Sequence, residues 1–177
     1  QPHLNSRKLV FVDESGFRLG GTPRYGWAPR GQDAPGTHVQ GHWENVTMVG
    51  AMALNGFRTF MTIDSGTSND VFLAFVEKQL LPRLSPGDVI VMDNLNAHKH
   101  ARVVEAVNAA GMHILYTPPY SPEFNPIEKA WAKIKDILRR LDTTSRETFD
   151  KAVAIALISV SESDRKGWFE YAGYAIN

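Results

Sequence analysis

The fold is decided by two short stretches of the sequence, KLVFVD (residues 8–13) and DVIVMD (residues 88–93). In each stretch four apolar residues follow one another without polar alternation, which is typical of a strand covered on both faces of a sheet. Each stretch ends in an aspartate, Asp13 in the first and Asp93 in the second. If the two strands lie side by side and parallel, both carboxylates meet at one sheet edge, where α/β proteins place their ligands.

Three further strands are predicted around this pair. Residues 46–54 and 57–64 are rich in strand-forming side chains and are joined by Asn55 and Gly56. This dipeptide favours a tight hairpin turn in which both residues adopt positive φ, so the two strands are expected to be antiparallel. A fifth strand is predicted over residues 112–117.

Four helices are predicted from apolar spacing and from start and stop signals. The first covers residues 69–81, where apolar residues recur at helical intervals. The second covers residues 97–110. The third begins at Pro126, and its apolar residues, including Trp131, are expected to be buried. The fourth extends from a capping box at Thr144 and Glu147 to residue 160. The element order predicts an α/β fold, with a mixed five-stranded sheet flanked by helices.

Composition excludes several classes of function. The chain has 177 residues, of which 43% are hydrophobic and 21% charged, as expected of one compact domain. Cysteine is absent, which excludes disulfides, iron–sulfur clusters and thiol nucleophiles, so any metal must bind oxygen or imidazole. Lysine plus arginine and aspartate plus glutamate balance at 19 each, so a nucleic-acid interface must come from local clusters. No apolar run reaches the ~20 residues of a membrane span, so a soluble protein is expected.

A third acid, Glu128, lies in the first turn of the helix predicted to follow the fifth strand. Three converging carboxylates suit Mg²⁺ or Mn²⁺, and a pair of such ions ~4 Å apart catalyses phosphodiester cleavage. Each acid also has a structural explanation. Asp13 and Asp93 can cap the turns that follow them, and Asn125 with Glu128 matches a variant of the capping box. When each acid is considered alone, metal binding and capping of the local backbone both remain possible.

Taken together, several segments resemble a known family. VDESGF (12–17), GWAPRG (26–31), VMDNLNAHK (91–99) and YSPEFNPIEKAWAKIK (120–135) are similar to the catalytic domain of the DDE transposases of bacterial insertion sequences related to mariner. The 34 residues between Asp93 and Glu128 match the spacing of this branch. The resemblance covers nearly the whole chain and implies a single ribonuclease H-like catalytic domain over residues 1–177.

The resemblance also implies an activity and its cofactors. Asp13, Asp93 and Glu128 would form the metal triad, with two Mg²⁺ ions and Mn²⁺ as a substitute. A cut-and-paste transposase of this kind is an endonuclease that hydrolyses phosphodiesters at transposon ends. It then directs the freed 3′-hydroxyl at target DNA, which completes integration. The implied partners are double-stranded DNA and a second copy in a homodimer, and the implied location is the bacterial cytoplasm, in association with the nucleoid.

Members of this family carry a helix-turn-helix DNA-binding region before the catalytic domain. Only about seven residues precede the first predicted strand. We therefore expect that region to lie outside this sequence, which agrees with the balanced charge of the chain.

Candidate DNA contacts come from three segments: the glycine- and proline-rich loop 18–44, the turn after Asp93, and the helix that carries Glu128. A solvated helix face explains the lysines of that helix equally well, and the loop could instead pack on its own domain or on a second subunit. Strand alternation turns Glu14 away from Asp13, and Glu123 is not expected to be a ligand. The candidates are Arg24, Trp27, Arg30, Asn94, His98, Lys129, Lys133 and Lys135.

Two other functions remain open. One is a stand-alone ribonuclease H-like nuclease or resolvase, against which the segment SPEFNPIEKAW argues. The other is a catalytically silent, transposase-derived DNA-binding module, against which the three intact acids argue. Assays of strand transfer and of Mg²⁺-dependent nicking separate these possibilities.

Overall fold

The computed structural model describes residues 4–20, 27–33, 44–64, 66–95, 98–141 and 143–176. Five strands form a sheet in the order β3-β2-β1-β4-β5, and this confirms the predicted mixed sheet of an α/β fold. β1 pairs antiparallel with β2 and parallel with β4, while β4 also pairs parallel with β5. The strands are β1 (Leu9–Arg18), β2 (Asn45–Ala53), β3 (Gly56–Ile63), β4 (Val89–Met92) and β5 (His113–Tyr116).

β1 is longer than predicted, and Asp13 lies in its middle rather than at its end. Its pairing with β4 covers Leu9 to Phe11, and Phe11 lies opposite Val91. Continuing this register by two residues brings Asp13 level with Asp93, which follows β4 directly. Beyond that point β1 continues against β2 alone as far as Arg18. The two acids therefore lie at the point where β4 ends and β1 continues beside β2 only.

The hairpin between β2 and β3 differs from the predicted turn. Gly56 has a φ of 134°, whereas Asn55 is not in the positive-φ region. Because Gly56 already pairs with Ala53, the connection consists of Leu54 and Asn55, and the glycine alone takes the unusual conformation. The antiparallel pairing itself is confirmed.

Within the described ranges, five α-helices flank the sheet. They are α1 (Asn69–Phe75), α2 (Ala101–Ala109), α3 (Ile127–Arg140), α4 (Arg146–Ile158) and α5 (Glu162–Tyr171). α1 continues into a π-helical turn, Val76–Leu80, and a 3₁₀ turn, Leu81–Arg83, so the first predicted helix changes type before it ends. None of these helices is long and apolar enough to cross a membrane.

Three helix predictions need correction. α2 starts at Ala101, four residues later than expected. The capping box of α4 is formed by Ser145 and Thr148 rather than by Thr144 and Glu147. α5 was not predicted, although the side chain of Ser161 caps it.

The core has two layers, because successive residues of β1 face opposite sides of the sheet. Phe11 packs with Trp131 and the other apolar residues of α3, α4 and α5. Val10 and Val12 pack instead with Phe72 and the apolar residues of α1 and α2. Asp13 continues the first set, on the α3 face, and Glu14 continues the second.

Candidate active site

The three acids identified from the sequence line one cavity of about 490 Å³. Asp13 comes from β1, Asp93 from the residue after β4, and Glu128 from the first turn of α3. Residues 117–122 and Asn125, which connect β5 to α3, line the same cavity. The fold thus brings together three carboxylates that are far apart in sequence.

Asp13 is the most buried of the three acids, with 8% of its surface exposed. Its Oδ2 accepts a hydrogen bond of 3.0 Å from the Trp131 indole N–H. Burial is the main influence on the carboxyl, and together with the charge of Glu128 it raises the pKa of Asp13 to about 7, against the opposing hydrogen bonds. The protonated form of Asp13 is therefore far more favoured than that of an ordinary aspartate.

The indole reaches Asp13 because the neighbouring strand has no side chain at the crossing point. Gly50 of β2 is the cross-strand partner of Asp13. A Cβ placed on Gly50 would lie 2.8 Å from Cη2 of Trp131, which is closer than real contacts allow. The rings of Phe57 and Phe60 pack against the Trp131 ring, with centroid distances of 6.2 and 6.0 Å. Trp131 was predicted to be buried, but its polar contact with the site was missed.

Asp93 has a different environment. Its side chain is 39% exposed, and Oδ1 lies 2.7 Å from Nδ1 of His98. The same Oδ1 accepts a hydrogen bond of 3.1 Å from the backbone amide of Leu95. Burial alone would raise the pKa of Asp93, but His98 and the Leu95 amide outweigh it and lower the pKa below its ordinary value. Asp93 is therefore ionised at neutral pH.

His98 is fully buried beneath Asp93. Its Nε2 lies 3.6 Å from Oε1 of Glu14, and its ring packs against Phe72 with a centroid distance of 4.4 Å. Neither nitrogen makes a hydrogen bond of regular angle, so both contacts are ion-pair contacts. Burial lowers the pKa of His98, but the carboxylates of Asp93 and Glu14 more than reverse this and raise it to about 9. His98 has no exposed surface here, so a DNA contact would require its side chain to become exposed, and that contact stays a prediction. Glu14 lies away from Asp13, as predicted.

The start of α3 lacks the predicted capping box. Pro126 occupies the N-cap position without a side-chain hydrogen bond, and Oδ1 of Asn125 is buried without a partner. Glu128 contacts Asn125 only through its backbone amide, which donates to the Asn125 carbonyl at 3.1 Å, and its side chain is exposed. The structural explanation for Glu128 therefore loses its support. Glu123 is exposed in a 3₁₀ turn and is not among the residues that line the cavity.

The predicted DNA contacts on α3 are in three different environments. Lys133 is paired with Asp164 at 2.6 Å. Lys129 lies over the ring of Tyr171, with its Nζ 4.4 Å from the centroid. Lys135 is partly buried, and burial is the main cause that lowers its pKa. Because one α-helical turn takes 3.6 residues, Lys135 lies two turns from Glu128 on the same face.

The remaining candidates lie nearer to the cavity or in the long loop. Asn94 lines the cavity next to Asp93. Trp27 is fully exposed and Arg30 is also exposed, so both are accessible to a ligand. Arg24 lies outside the described residues. Tyr120 was missed by the sequence analysis: it is fully exposed on the cavity rim and has a φ of 56°, which is rare for a side chain of this size.

The donor chemistry of the cavity fits a hard divalent cation. Asp13, Asp93, Glu128 and Asn125 line it, and carboxylate and amide oxygens are the ligands that Mg²⁺ and Mn²⁺ prefer. In the part of the chain that the structure describes, no three acidic or histidine side chains lie close enough to enclose one ion. A Mg²⁺ ion held by one or two of these carboxylates would complete its coordination with water or substrate oxygens.

Comparison with known proteins assigns the family. The chain belongs to the family described as DDE superfamily endonuclease, which matches residues 8–150. This match includes all three acids of the cavity. No curated protein matches the sequence.

Solved structures of the Mos1 mariner transposase share the fold. The chain is similar to the paired-end complex with Mg, with 15% identity, a TM-score of 0.77, and coverage of 95% of this chain and 54% of that one. For the strand transfer complex the values are 14%, 0.74, 94% and 51%, and for the isolated catalytic domain 11%, 0.65, 95% and 76%. The chain thus spans about half the length of the chains in the two complexes. These matches confirm the ribonuclease H-like fold.

Proposed function

We propose that this chain is the catalytic core of a cut-and-paste transposase, a divalent metal-dependent DNA endonuclease and strand-transferase. The observation that carries this proposal is the convergence of Asp13, Asp93 and Glu128 on one cavity in a member of the DDE endonuclease family. The three acids come from two adjacent parallel strands and a following helix.

Asp13, Asp93 and Glu128 would hold two Mg²⁺ ions, with Mn²⁺ as a substitute. Structures of the Mos1 proteins that share this fold have been solved with Mg and with Mn, which supports the choice of metals. When bound, such a pair of ions activates the attacking hydroxyl and stabilises the leaving oxygen of a phosphodiester.

The acids would act in different ways when a cation enters. Asp93 is ionised in advance, because His98 and the Leu95 amide favour its charged form. Asp13 would bind a cation in its ionised form and would release its proton to solvent, since its raised pKa reflects burial and the nearby Glu128. The Trp131 N–H holds Oδ2 of Asp13 in place during this change.

The substrate of the proposed reaction is double-stranded DNA, both transposon ends and target. Asn94 lines the cavity and Lys135 interacts electrostatically with Glu128 and Asp13, while Lys129, Trp27 and Arg30 are accessible for backbone or base contacts. The similar Mos1 structures are a paired-end complex and a strand transfer complex, which supports a reaction on DNA ends. The active form that we propose is a homodimer. In a bacterial cell this substrate would keep the protein at the nucleoid.

Two assays on the same preparation test the proposal. We expect nicking of supercoiled plasmid that requires Mg²⁺ or Mn²⁺, and joining of a pre-cleaved 3′-hydroxyl end to target DNA. Asp93→Asn should abolish both activities, whereas Glu123→Gln serves as the matched control and should leave both intact. Nicking without joining would identify a stand-alone nuclease, and DNA binding without nicking would identify a silent module.

A further inference from the structure

The structure encloses His98 on every side. The side chain has no exposed surface and packs against Phe72, while its two nitrogens lie next to carboxylates of Asp93 and Glu14. The backbone carbonyl of His98 accepts a hydrogen bond of 3.0 Å from the hydroxyl of Tyr116. Contacts from β1, the β4 end, α1 and β5 therefore fix the imidazole in one place.

Packing alone does not explain a histidine at this position. Burying two ring nitrogens costs free energy, and an apolar side chain of similar volume would fill the space beside Phe72 at a lower cost. The imidazole instead places Nδ1 2.7 Å from Oδ1 of Asp93. The free-energy cost of burying the imidazole is explained if the position of the Asp93 carboxylate matters for ligand binding.

The contacts of Asp93 are confined to one of its oxygens. Both the Leu95 amide and Nδ1 of His98 contact Oδ1. Among the described contacts none involves Oδ2, which leaves this oxygen available to a ligand in the cavity that Asp93 lines. A carboxylate fixed through one oxygen presents its other oxygen in a constant direction. Hydrogen-bond partners orient metal-binding carboxylates in this way.

We infer that His98, braced by Glu14, is a positioning residue that orients Asp93 for divalent metal binding. This inference rests on the proposed function, since it assumes that Asp93 is a metal ligand. It assigns a role to a histidine and a glutamate that lie on the opposite face of the sheet from Asp13.

Two substitutions of His98 separate positioning from packing. The side-chain amide nitrogen of asparagine lies one bond beyond Cγ, as Nδ1 does, so His98→Asn retains a donor toward Asp93. The amide nitrogen of glutamine lies further out, near the place of Nε2, so His98→Gln loses that donor. Both variants are neutral and leave a gap beside Phe72, so similar losses of stability are expected in EDTA.

The principal measurement is Mn²⁺ binding by titration calorimetry on the purified 177-residue chain. We expect His98→Gln to weaken Mn²⁺ binding about 10-fold or more and His98→Asn to stay within about threefold of the wild type. In plasmid nicking, the Mn²⁺ concentration for half-maximal rate should rise for His98→Gln by more than the saturating rate falls. A residue that served packing alone would change neither quantity selectively.

Glu14→Gln provides a milder variant if the histidine substitutions fail to fold. The side chain of Glu14 is partly exposed, so the fold should tolerate the amide, and loss of the brace should weaken Mn²⁺ binding about two- to fivefold. Equal Mn²⁺ affinity in His98→Gln and the wild type, or equal losses in the two His98 variants, would overturn the inference, as would wild-type affinity in Glu14→Gln. A wild-type chain that binds no Mn²⁺ would overturn the proposed function itself, and this inference with it.

Discussion

Asp13 and Asp93 lie side by side at the same level of the sheet, yet their surroundings are opposite in character. Asp13 is buried against an indole, and burial raises its pKa to about 7. Asp93 is partly exposed, and an imidazole and a backbone amide lower its pKa. The metal-free site therefore combines one permanently charged acid with one that is charged only part of the time.

This difference shows how a protein can hold several acids close together without a metal ion. If all three carboxylates were fully ionised, their mutual repulsion would act against the folded state. A proton on Asp13 relieves that repulsion, while the His98 contact stabilises the charge on Asp93. The metal-free protein thus keeps negative charge available for a cation while the electrostatic repulsion among its carboxylates is reduced.

The largest expected effect is on catalysis, where the two acids should behave alike. Asp13→Asn and Asp93→Asn should each lower metal-dependent nicking about 10³-fold, since the metal supplies several kcal/mol of transition-state stabilisation. Their stabilities in EDTA at pH 8 should nevertheless differ in sign. Asp13→Asn removes a buried charge and should raise the unfolding free energy, whereas Asp93→Asn leaves His98 without its main partner and should lower it. If urea unfolding shows that both variants change the unfolding free energy in the same direction, the proposed difference between Asp13 and Asp93 is wrong.

The second effect concerns the pH dependence of the metal-free protein. Between pH 3.8 and about 7, folded Asp13 keeps a proton that the unfolded chain releases, so the unfolding free energy should fall as pH rises through this window. The total fall due to this group is on the order of 4 kcal/mol. His98 adds a further fall between pH 6.5 and about 9, because its folded pKa is raised.

Urea unfolding in EDTA at a series of pH values measures both contributions. In Asp13→Asn the fall below pH 7 should disappear and the fall above pH 6.5 should remain. An unchanged profile in this variant would show that Asp13 titrates normally and that the contrast with Asp93 is absent.

The third effect tests which glutamate is the third carboxylate of the proposed metal site. Glu128→Gln should leave the metal-free stability level or slightly higher, because α3 has no side-chain cap to lose and one negative charge is removed near Asp13. Nicking should fall about 10²-fold, as one anchor of the metal pair is lost. The matched control is Glu123→Gln, which should keep wild-type activity. Normal cleavage by Glu128→Gln combined with loss in Glu123→Gln would mean that Glu123 is the third carboxylate.

The smallest effect concerns the Trp131 indole that donates a hydrogen bond to Asp13. Gly50→Ala places a Cβ against Trp131 and should lower the unfolding free energy by about 1–3 kcal/mol, since the indole must shift away from Asp13. Gly16→Ala is the control, because an added Cβ there meets nothing within 4 Å. Thermal unfolding of both variants gives the comparison, and equal stabilities would show that Trp131 is not confined.

The sequence predicted the strands well where burial made the pattern simple. The apolar runs ending at Asp13 and Asp93 are covered by helices on both faces, so the absence of alternation was informative. The second half of β1 was missed because its residues 14–18, ESGFR, carry polar and glycine positions and pair with β2 alone. α5 was missed because Phe169 is its one residue classed as buried, which leaves no apolar stripe to detect.

The candidate acids could be predicted, but their partners could not. The apolar runs before Asp13 and Asp93, the position of Glu128 in the first turn of a predicted helix, and the family resemblance singled out the three carboxylates. The burial of His98 depends on Phe72 and Glu14, which belong to distant elements. The sequence instead predicted His98 near the start of the helix over residues 97–110, in a position to contact DNA. For Trp131, apolar spacing predicted burial, but no local pattern shows which acceptor an indole N–H will find.

The hydrogen bond between Trp131 and Asp13 also has a consequence for the timing of synthesis. The two residues are 118 positions apart. At roughly 5–20 residues per second, β1 leaves the ribosome roughly 6–24 s before the start of α3 does. During that interval the nascent chain has neither Glu128 nor the indole that holds Asp13. A translation product that stops before residue 128 therefore carries an incomplete set of the cavity carboxylates.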